Sequence, residues 1–315
     1  MKYLVIGTGA IGLNIANQLK KQNIDFDIIT KSNNNESYKY PNAIVNNYNI
    51  SKITISMIFF KKINFLWILL AIFNIPFYKK KKNFIINKSL EILKKYNFKN
   101  CNNNNIYFNN KIIFNDLLNN VKDKIIYKTV TNNDIINYSI LYDKVFVCVG
   151  HNYNQNNLIQ NIGSFKFYCE CKNKPNCLII ENGYFIEPHD SNNITIKCGL
   201  VIGSNNENYD HNYISNKLKN SYIWNKYKIT KINNITMGLR SVSFDFIPYY
   251  NINKNIYYVT GGSFNGFIFA PYLAQQILKD DKYFNICRLR KKILLLYLII
   301  FIGVLFIFFK LYFTF

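Results

Sequence analysis

The sequence predicts an α/β protein in which a Rossmann-like sheet is divided around an inserted antiparallel sheet and is followed by a C-terminal transmembrane helix. Three observations predict the α/β part. A glycine-rich loop joins the apolar strand "YLVI" to a helical run, strand-like segments fill residues 164–203, and the strand "NIYYVTG" at 255–261 leads into a late helix. The chain therefore begins and ends with nucleotide-fold elements and inserts a strand-rich region between them.

The composition limits the class of protein. The 315 residues are 49% hydrophobic, enough for a sizeable core, and the formal net charge is +22. Only three of the 39 cations are arginines, namely Arg240, Arg288 and Arg290. Proteins that bind nucleic acid more often cluster their cations and use arginine, so we expect no nucleic-acid partner. The seven cysteines are irregularly spaced, which predicts neither a disulfide framework nor a metal site.

The N-terminal loop has the GxGxxG spacing of a dinucleotide-binding turn, with Gly7, Gly9 and Gly12 at the three glycine positions. Gly7 allows a tight turn, Gly9 lets the backbone approach a pyrophosphate, and Gly12 permits close packing of helix on strand. The helix start around Ala10 and Ile11 offers backbone N–H groups to anionic oxygens. Because the strand "DFDIIT" follows at the right distance, the loop predicts nucleotide binding.

The end of that second strand departs from the usual pattern. An acidic residue there would bind the adenosine ribose, but the sequence has Thr30 followed by Lys31 and Ser32. One hydroxyl and a cation favour a phosphorylated ribose, as in NADP, and "MKYLVIGTGAIG" looks like the start of ketopantoate reductases. An NADP-dependent reductase therefore remains an alternative.

Two motifs stand in the C-terminal half of the sequence, "MGLRSVSFDFIPYY" and "YYVTGGSFNGFIFAPYLAQQIL". Together they resemble the D-amino-acid oxidase family of FAD-dependent oxidoreductases, which includes glycine oxidases and D-amino-acid dehydrogenases. The matching positions are Gly238-Leu239-Arg240, Asp245, Pro248, Gly261-Gly262, Asn265-Gly266 and Ala270-Pro271. The resemblance spans residues 1 to about 280, and it implies FAD as the cofactor and a glutathione-reductase type of FAD-binding domain.

The resemblance also implies which residues contact the cofactor. The ADP half would be held by the first glycine loop and the second strand end, and adenine by the backbone at Val130. Asn42 and Ala43 would run past the isoalloxazine, with Ile44 where the family has glycine, and Gly150 would follow the mid-chain strand. The flavin pyrimidine edge would meet the second glycine turn, whose members are Gly261, Gly262, Asn265, Gly266 and Phe267.

Arg240 aligns with the arginine that binds the substrate carboxylate in this family. A guanidinium binds a carboxylate through two parallel hydrogen bonds, which lysine cannot do. We therefore expect oxidation of a small amino acid or related amine or hydroxy acid by hydride transfer to flavin, with quinone or oxygen as electron acceptor. Besides the NADP reductase, a non-catalytic relative with a decayed flavin site remains open, because of Thr30 and Ile44.

The C-terminus predicts a membrane anchor. The basic cluster "RLRKK" at 288–292 is followed by residues 293–309, which carry no charge and no proline. By the positive-inside rule the catalytic domain would lie on the cytoplasmic side of a single-pass protein.

The predicted domains are an oxidoreductase domain over 1–287 and an anchor over 288–315. Nucleotide-binding parts are expected at about 1–50, 110–160 and 235–281, and substrate-domain parts at about 51–109 and 161–234. The apolar run at 65–73 is too short to span a bilayer and predicts a packed helix, and an amphipathic helix is expected over 87–98.

Overall fold

The computed structural model describes residues 1–31, 42–45, 58–60, 65–96, 99–101, 105–150, 159–181, 184–202, 210–262, 266–281, 284–285 and 287–313. The helices are α1 Ala10–Lys21, α2 Phe65–Leu93, α3 Asn110–Asn119, α4 Asn132–Leu141, α5 His211–Lys219, α6 Tyr222–Lys226, α7 Gly266–Leu278 and α8 Cys287–Phe313. The strands are β1 Lys2–Ile6, β2 Asp25–Thr30, β3 Asn42–Val45, β4 Ile58–Phe60, β5 Lys99–Cys101, β6 Asn105–Asn109, β7 Ile125–Tyr127, β8 Lys144–Val147, β9 Ile159–Cys171, β10 Ile179–Glu181, β11 Tyr184–Pro188, β12 Asn193–Ile202, β13 Ile229–Ser243, β14 Tyr249–Asn253 and β15 Ile256–Thr260.

Six strands form the predicted Rossmann-like sheet, in the order β14-β15-β8-β1-β2-β7. All neighbours pair in parallel except β14, which is antiparallel to β15 at one edge. β1 is apolar along nearly its whole length because both faces of the sheet are covered. Val5 packs in the core on the side of α1 and α7, whereas Leu4 and Ile6 pack in the cluster on the side of α4. This half of the predicted fold is confirmed.

The predicted antiparallel sheet is also confirmed, with strand order β10-β11-β12-β9-β13 and β4 added in parallel to β12. One face is apolar: Phe165 and Phe167 of β9 pack with Ile214 and Leu218 of α5. Alternate residues of the same strands point to the opposite face, which carries polar side chains such as Ser164. A third, small sheet has the order β3-β6-β5.

β13 links the two large sheets. Its end forms a bridge between Val242 and Gly262, the residue that follows β15 by two positions. Ser241 of β13 hydrogen-bonds to both Thr260 and Gly261 at that same point. The end of the antiparallel sheet is thus joined directly to the glycine turn of the Rossmann-like sheet.

The two helices expected at 65–73 and 87–98 are a single helix, α2, which ends at Leu93. The lysine run that separates them at 79–82 continues the helix, since lysine has good helix propensity. Trp67 and Leu70 are buried as expected for a packed helix, and Trp67 Nε1 donates to the Val242 carbonyl over 3.1 Å.

The predicted C-terminal transmembrane helix is wrong. In the described part of the chain, no helix has both the length and the apolar character that crossing a membrane requires. α8 carries 17 uncharged residues between Lys292 and Lys310, at the lower end of the length that spans a bilayer core. Its first turns pack on the fold, with Leu289 fully buried, and most of its side chains from 294 to 307 are exposed.

Candidate cofactor and substrate site

Four segments singled out in the sequence meet at one edge of the Rossmann-like sheet. Gly7 follows β1, Thr30 ends β2, Gly150 lies just past β8 and Gly261 follows β15. These four strands are parallel, so their carboxyl ends share an edge. The chain continues from β1 to β2 on one side and later places β8 on the other. Such a reversal of strand order leaves a crevice, which is where open α/β sheets bind ligands.

Close packing makes glycine necessary in the first loop. Gly7 has φ of +101°, and a Cβ there would lie 2.6 Å from the carbonyl oxygen of Cys148 at the end of β8. A Cβ at Gly12 would lie 1.9 Å from the Gly7 carbonyl oxygen. Both distances are too short for a side chain, so the two glycines let α1 sit directly against β1 and β8.

The start of α1 suits an anion. Gly9 is the N-cap residue, no side chain caps the helix, and no acidic residue lies in its first turn. The first intrahelical bond runs from the Leu13 N–H to the Gly9 carbonyl over 3.0 Å. The preceding backbone N–H groups, at Ala10, Ile11 and Gly12, have no intrahelical acceptor and lie at the positive end of the helix dipole. This is the arrangement that binds phosphate groups.

The second glycine turn meets the first. A Cβ at Gly262 would lie 3.6 Å from Cδ1 of Ile11, and α7 packs along α1. Gly261 has φ of +77°, and its N–H donates to the Ser241 hydroxyl over 3.3 Å, so this amide is bound within the protein. Gly266 begins α7 and Phe267 is buried, whereas Asn265 lies outside the described residues.

The end of β2 carries a hydroxyl pair instead of a carboxylate. Thr30 is buried, and the Thr8 hydroxyl donates to the Thr30 hydroxyl over 3.0 Å. The Lys128 N–H donates to the Thr30 carbonyl over 2.9 Å, which brings the segment leading to Val130 beside this strand end. Lys31 is exposed, and Ser32 lies outside the described residues.

Of the remaining predicted cofactor residues, Gly150 lies at the same edge, and Asn42 and Ala43 lie in the small third sheet. Gly150 has φ of +61°, and its carbonyl accepts a hydrogen bond from the Thr260 hydroxyl over 3.3 Å. Asn42 and Ala43 belong to β3, where they pair with Asn109 and Phe108 of β6. β3 also approaches α7.

Arg240 lies on β13, half-buried, and points to the polar face of the antiparallel sheet. Its Nη1 donates to the Ser164 hydroxyl over 3.1 Å. On the same face, the Lys197 ammonium lies 3.6 Å from the Glu187 carboxylate. Burial lowers the pKa of Lys197 to about 8; Glu187 opposes this shift, whereas Lys166 and Arg240 add to it by repulsion. Arg240 therefore belongs to a cluster of partly buried charges.

Sequence reasoning missed several residues of this region. Thr8, Ser164 and Ser241 each bond to a predicted site residue that is distant in sequence, and no local pattern indicates such a pairing. The charged cluster did leave a signal. Lys166 stands within the strand-like, largely apolar run "FKFYCEC". Because lysine is rarely buried unless it is paired, its place in such a run indicates that this face of the strand is polar.

No protein-family model matches the chain, and no curated protein matches it in sequence. Its fold is similar to L-proline dehydrogenase from P. horikoshii, at 12% identity and a TM-score of 0.58, over 90% of this chain and 94% of that one. Glycine oxidase from Bacillus cereus ATCC 14579 is 13% identical, with a TM-score of 0.51 over 89% of this chain and 95% of that one. The fructosamine oxidase Amadoriase II from Aspergillus fumigatus is 10% identical, with a TM-score of 0.54 over 88% of this chain and 85% of that one.

At these identities the likeness shows the fold alone, and the chemistry has to be argued from the residues of the site. Glycine oxidases belong to the family that the motifs around Arg240 and Gly261 resemble. The chain therefore has the fold of the D-amino-acid oxidase family of FAD-dependent oxidoreductases.

Proposed function

We propose that this protein is an FAD-dependent oxidoreductase that oxidises a small amino acid or a related amine or hydroxy acid. The observation that carries the proposal is the meeting of two glycine turns at the carboxyl edge of the parallel sheet, with β13 running from there to Arg240. The fold shared with amino-acid and amine oxidoreductases supports it.

The first glycine loop would hold the pyrophosphate of FAD through the N–H groups of Ala10, Ile11 and Gly12. The absence of a side-chain cap and of an acid in the first turn of α1 fits a bound anion at this point. The backbone near Val130 would lie by the adenine. The start of α7, at Gly266, together with Gly262, would face the pyrimidine edge of the flavin, where a helix dipole stabilises negative charge.

The adenosine ribose has an unusual partner in this proposal. A carboxylate would offer two acceptor oxygens, whereas the Thr8–Thr30 pair offers hydroxyls, one of which already donates to the other. An NADP-dependent reductase remains the second candidate, because exposed Lys31 directly follows this strand end and could face a ribose phosphate.

Arg240 would bind the substrate carboxylate. The Ser164 hydroxyl holds its Nη1, and the half-buried setting strengthens charge-assisted hydrogen bonds relative to open water. Bound FAD supplies the hydride acceptor. The chain's own contribution would be to orient the substrate so that the carbon bearing the amine or hydroxyl faces the flavin.

The first test is the visible absorption spectrum of the purified protein. Bound flavin gives visible bands, whereas bound NADP does not, so their absence together with NADP binding would favour the reductase. The second test is anaerobic flavin bleaching with D- and L-amino acids, glycine and 2-hydroxy acids. Failure of every substrate to bleach a flavin-loaded protein would contradict the oxidoreductase proposal and favour a decayed site.

Arg240→Lys tests the carboxylate contact. The variant keeps the charge but loses the bidentate geometry, so we expect the bleaching efficiency with carboxylate substrates to fall by about one to two decades, as for a lost charge-assisted bond of about 1.5–3 kcal/mol. Flavin content should not change. Arg290→Lys, on the exposed surface of α8, is the matched control. Equal bleaching by the Arg240 variant and the parent would show that Arg240 does not bind substrate.

A further inference from the structure

The turn at the end of β13, residues 243–248, closes around a buried carboxylate and is called the β13 turn below. Asp245 is only 2% exposed, and its carboxylate accepts from the Ile247 N–H over 3.3 Å. The Ser243 hydroxyl donates to the Ile247 carbonyl over 2.7 Å, and the Phe246 N–H donates to the Ser243 carbonyl over 2.9 Å. Phe246 has φ of +58°, a conformation that a residue with a bulky side chain keeps only where its surroundings impose it. The shape of the β13 turn therefore depends on its contacts.

The β13 turn packs directly on the second glycine turn. A Cβ at Gly261 would lie 3.3 Å from Cβ of Ser243 and 3.3 Å from Cδ1 of Tyr249, the residue that follows the β13 turn. The bridge between Val242 and Gly262 continues this contact. Since such distances leave no gap between the two turns, a displacement of the β13 turn displaces the two glycines beside the proposed flavin edge.

The first turns of α8 hold the β13 turn in place. Nη2 of Arg288 donates to the carbonyls of Ile247 and Pro248 over 2.9 and 3.0 Å, and its Nε lies 3.3 Å from the Asp245 carboxylate. The Lys292 ammonium lies 2.8 Å from the same carboxylate, and the Arg288 and Lys292 side chains are only 14% and 17% exposed. A buried carboxylate or carbonyl that loses its donors is costly, so undocking α8 would destabilise the β13 turn.

This connection is separate from the nucleotide-binding motifs. Asp245 lies within "MGLRSVSFDFIPYY", whereas Arg288 and Lys292 lie in α8, beyond the end of the family resemblance near residue 280. Asn285, which directly precedes α8 by two positions, also bridges to Tyr250 of β14. β14 pairs with β15, whose end carries the second glycine turn, so this bridge ties the start of α8 to the same region.

We propose that α8 and the candidate cofactor site are coupled through the β13 turn, with Asp245 and Arg288 as positioning residues. Docked α8 holds the β13 turn against Gly261 and Gly262, and a flavin bound beside those glycines favours docked α8. The coupling is reciprocal: the factor by which undocking weakens FAD binding equals the factor by which FAD favours docking. This inference rests on the proposed function, since it assigns the regulation of that same site.

Limited digestion with trypsin measures whether α8 is docked. Arg288, Arg290, Lys291 and Lys292 are all cleavage sites, and a helical segment is cut after it opens locally. The full-length protein is digested over a range of FAD concentrations, and mass spectrometry identifies each cleaved bond. We expect saturating FAD to slow cleavage at 288–292 about tenfold or more and to leave cleavage at Lys219, exposed at the end of α5, nearly unchanged.

Arg288→Lys tests the connection itself. The variant keeps a positive charge and a trypsin site, but an ammonium lacks the fixed fork that bonds Asp245 and two carbonyls together. We expect the dissociation constant of FAD to rise about tenfold and the protection of 288–292 by FAD to fall by the same factor. Arg290→Lys, on the exposed surface of the same helix, is the matched control.

The reduction potential of the flavin that remains bound separates positioning from a general loss of stability. In Arg288→Lys it should become more negative, because a displaced glycine turn aligns its N–H groups less well with the pyrimidine edge. A loss of overall stability alone would leave the potential unchanged. Lys292→Gln provides a second variant should Arg288→Lys fold poorly, with a smaller effect in the same direction, and Lys291→Gln, exposed on α8, is its control.

The outcomes separate this inference from the proposed function. If FAD binds but protects 288–292 no more than Lys219, or if Arg288→Lys binds FAD as tightly as the parent, the coupling is overturned and the proposed function stands. If FAD does not bind but NADP gives the protection and loses it in Arg288→Lys, the FAD-dependent function fails and the coupling stands. If neither dinucleotide binds, both are overturned.

Discussion

At the scale of single residues, Gly12 is the tightest point of the candidate cofactor site. Gly12→Ala would place a methyl group 1.9 Å from the Gly7 carbonyl oxygen, so α1 must move away from β1. We expect a loss of about 1–3 kcal/mol in the free energy of unfolding, as for other overpacked positions, together with loss of bound flavin. Urea unfolding and the flavin-to-protein ratio measure the two effects.

Gly303→Ala is the control for this substitution. Gly303 lies inside α8, and a Cβ added there would meet no atom of the described residues within 4 Å, so alanine should be neutral or stabilise by up to about 1 kcal/mol. Unchanged stability of Gly12→Ala would show that the loop tolerates a side chain. Full flavin content in the same variant would contradict the proposal that this loop binds the pyrophosphate of FAD.

The residues that could be predicted from sequence are those whose role depends on neighbours in the chain. The spacing of Gly7 and Gly12 between a strand and a helix was sufficient to place them in the turn. Thr8 pairs with Thr30 across 22 residues and Arg240 bonds to Ser164 across 76, and no periodicity encodes such pairs. The hydroxyl partners of the site therefore required the structure.

At the scale of elements, α8 is held against the fold by ion pairs of Arg288 and Lys292 with Asp245. This carboxylate is almost fully buried; Lys292 lies 2.8 Å from it, and Arg288 bonds both to it and to the Ile247 and Pro248 carbonyls. Burial would raise the pKa of Asp245, but Arg288 and Lys292 lower it to about 2. Sequence hydropathy could count the apolar residues of α8 but could not reveal that its first turn pairs with a residue 43 positions earlier.

Replacing both Arg288 and Lys292 with methionine should destabilise the protein by about 3–5 kcal/mol at pH 7, because it leaves a buried carboxylate without these partners. In the parent, the depressed pKa gives stability that is present above pH 3.8 and is lost as the pH falls through about 2. The variant lacks that contribution, so the difference in unfolding free energy between parent and variant should shrink as the pH falls below about 4.

Chemical denaturation at pH 7, 5 and 3 measures this difference. The matched control replaces Arg290 and Lys291, two exposed cations on the same helix, with methionine and should change stability by less than about 0.5 kcal/mol. Adding Asp245→Asn to the double variant should restore part of the loss. A double variant no less stable than the control would mean that α8 does not secure this turn.

At the scale of the whole molecule, the two large sheets meet at a polar junction that Ser241 forms with Thr260 and Gly261. The alternation in "FKFYCECK" and the GxGxxG loop predicted both sheets, because each period reflects which faces are buried. The way the sheets are joined follows from hydrogen bonds between distant strands. Ser241 accepts from the Thr260 hydroxyl over 3.0 Å and from the Gly261 N–H over 3.3 Å, and it is buried.

Ser241→Ala should weaken both sheets together. The substitution leaves the buried Gly261 N–H without its acceptor, and a buried donor that loses its partner costs about 1–3 kcal/mol, whereas the Thr260 hydroxyl keeps the Gly150 carbonyl as acceptor. Because Gly261 shapes the turn beside the proposed flavin edge, flavin affinity should fall as well. Urea unfolding is followed by circular dichroism and by the fluorescence of Trp67 and Trp224, which lie in different hydrophobic clusters.

The urea transitions reported by Trp67 and by Trp224 decide whether the junction couples the two sheets. Coincident transitions shifted to lower urea would show that it does, because a cooperative unit unfolds at one midpoint whichever probe reports it. Ser215→Ala, on the partly exposed face of α5, is the control and should leave the transition nearly unmoved. If Ser241→Ala instead separated the two probes, so that the Trp224 region unfolded where it does in the parent, the antiparallel sheet would be stable without the junction.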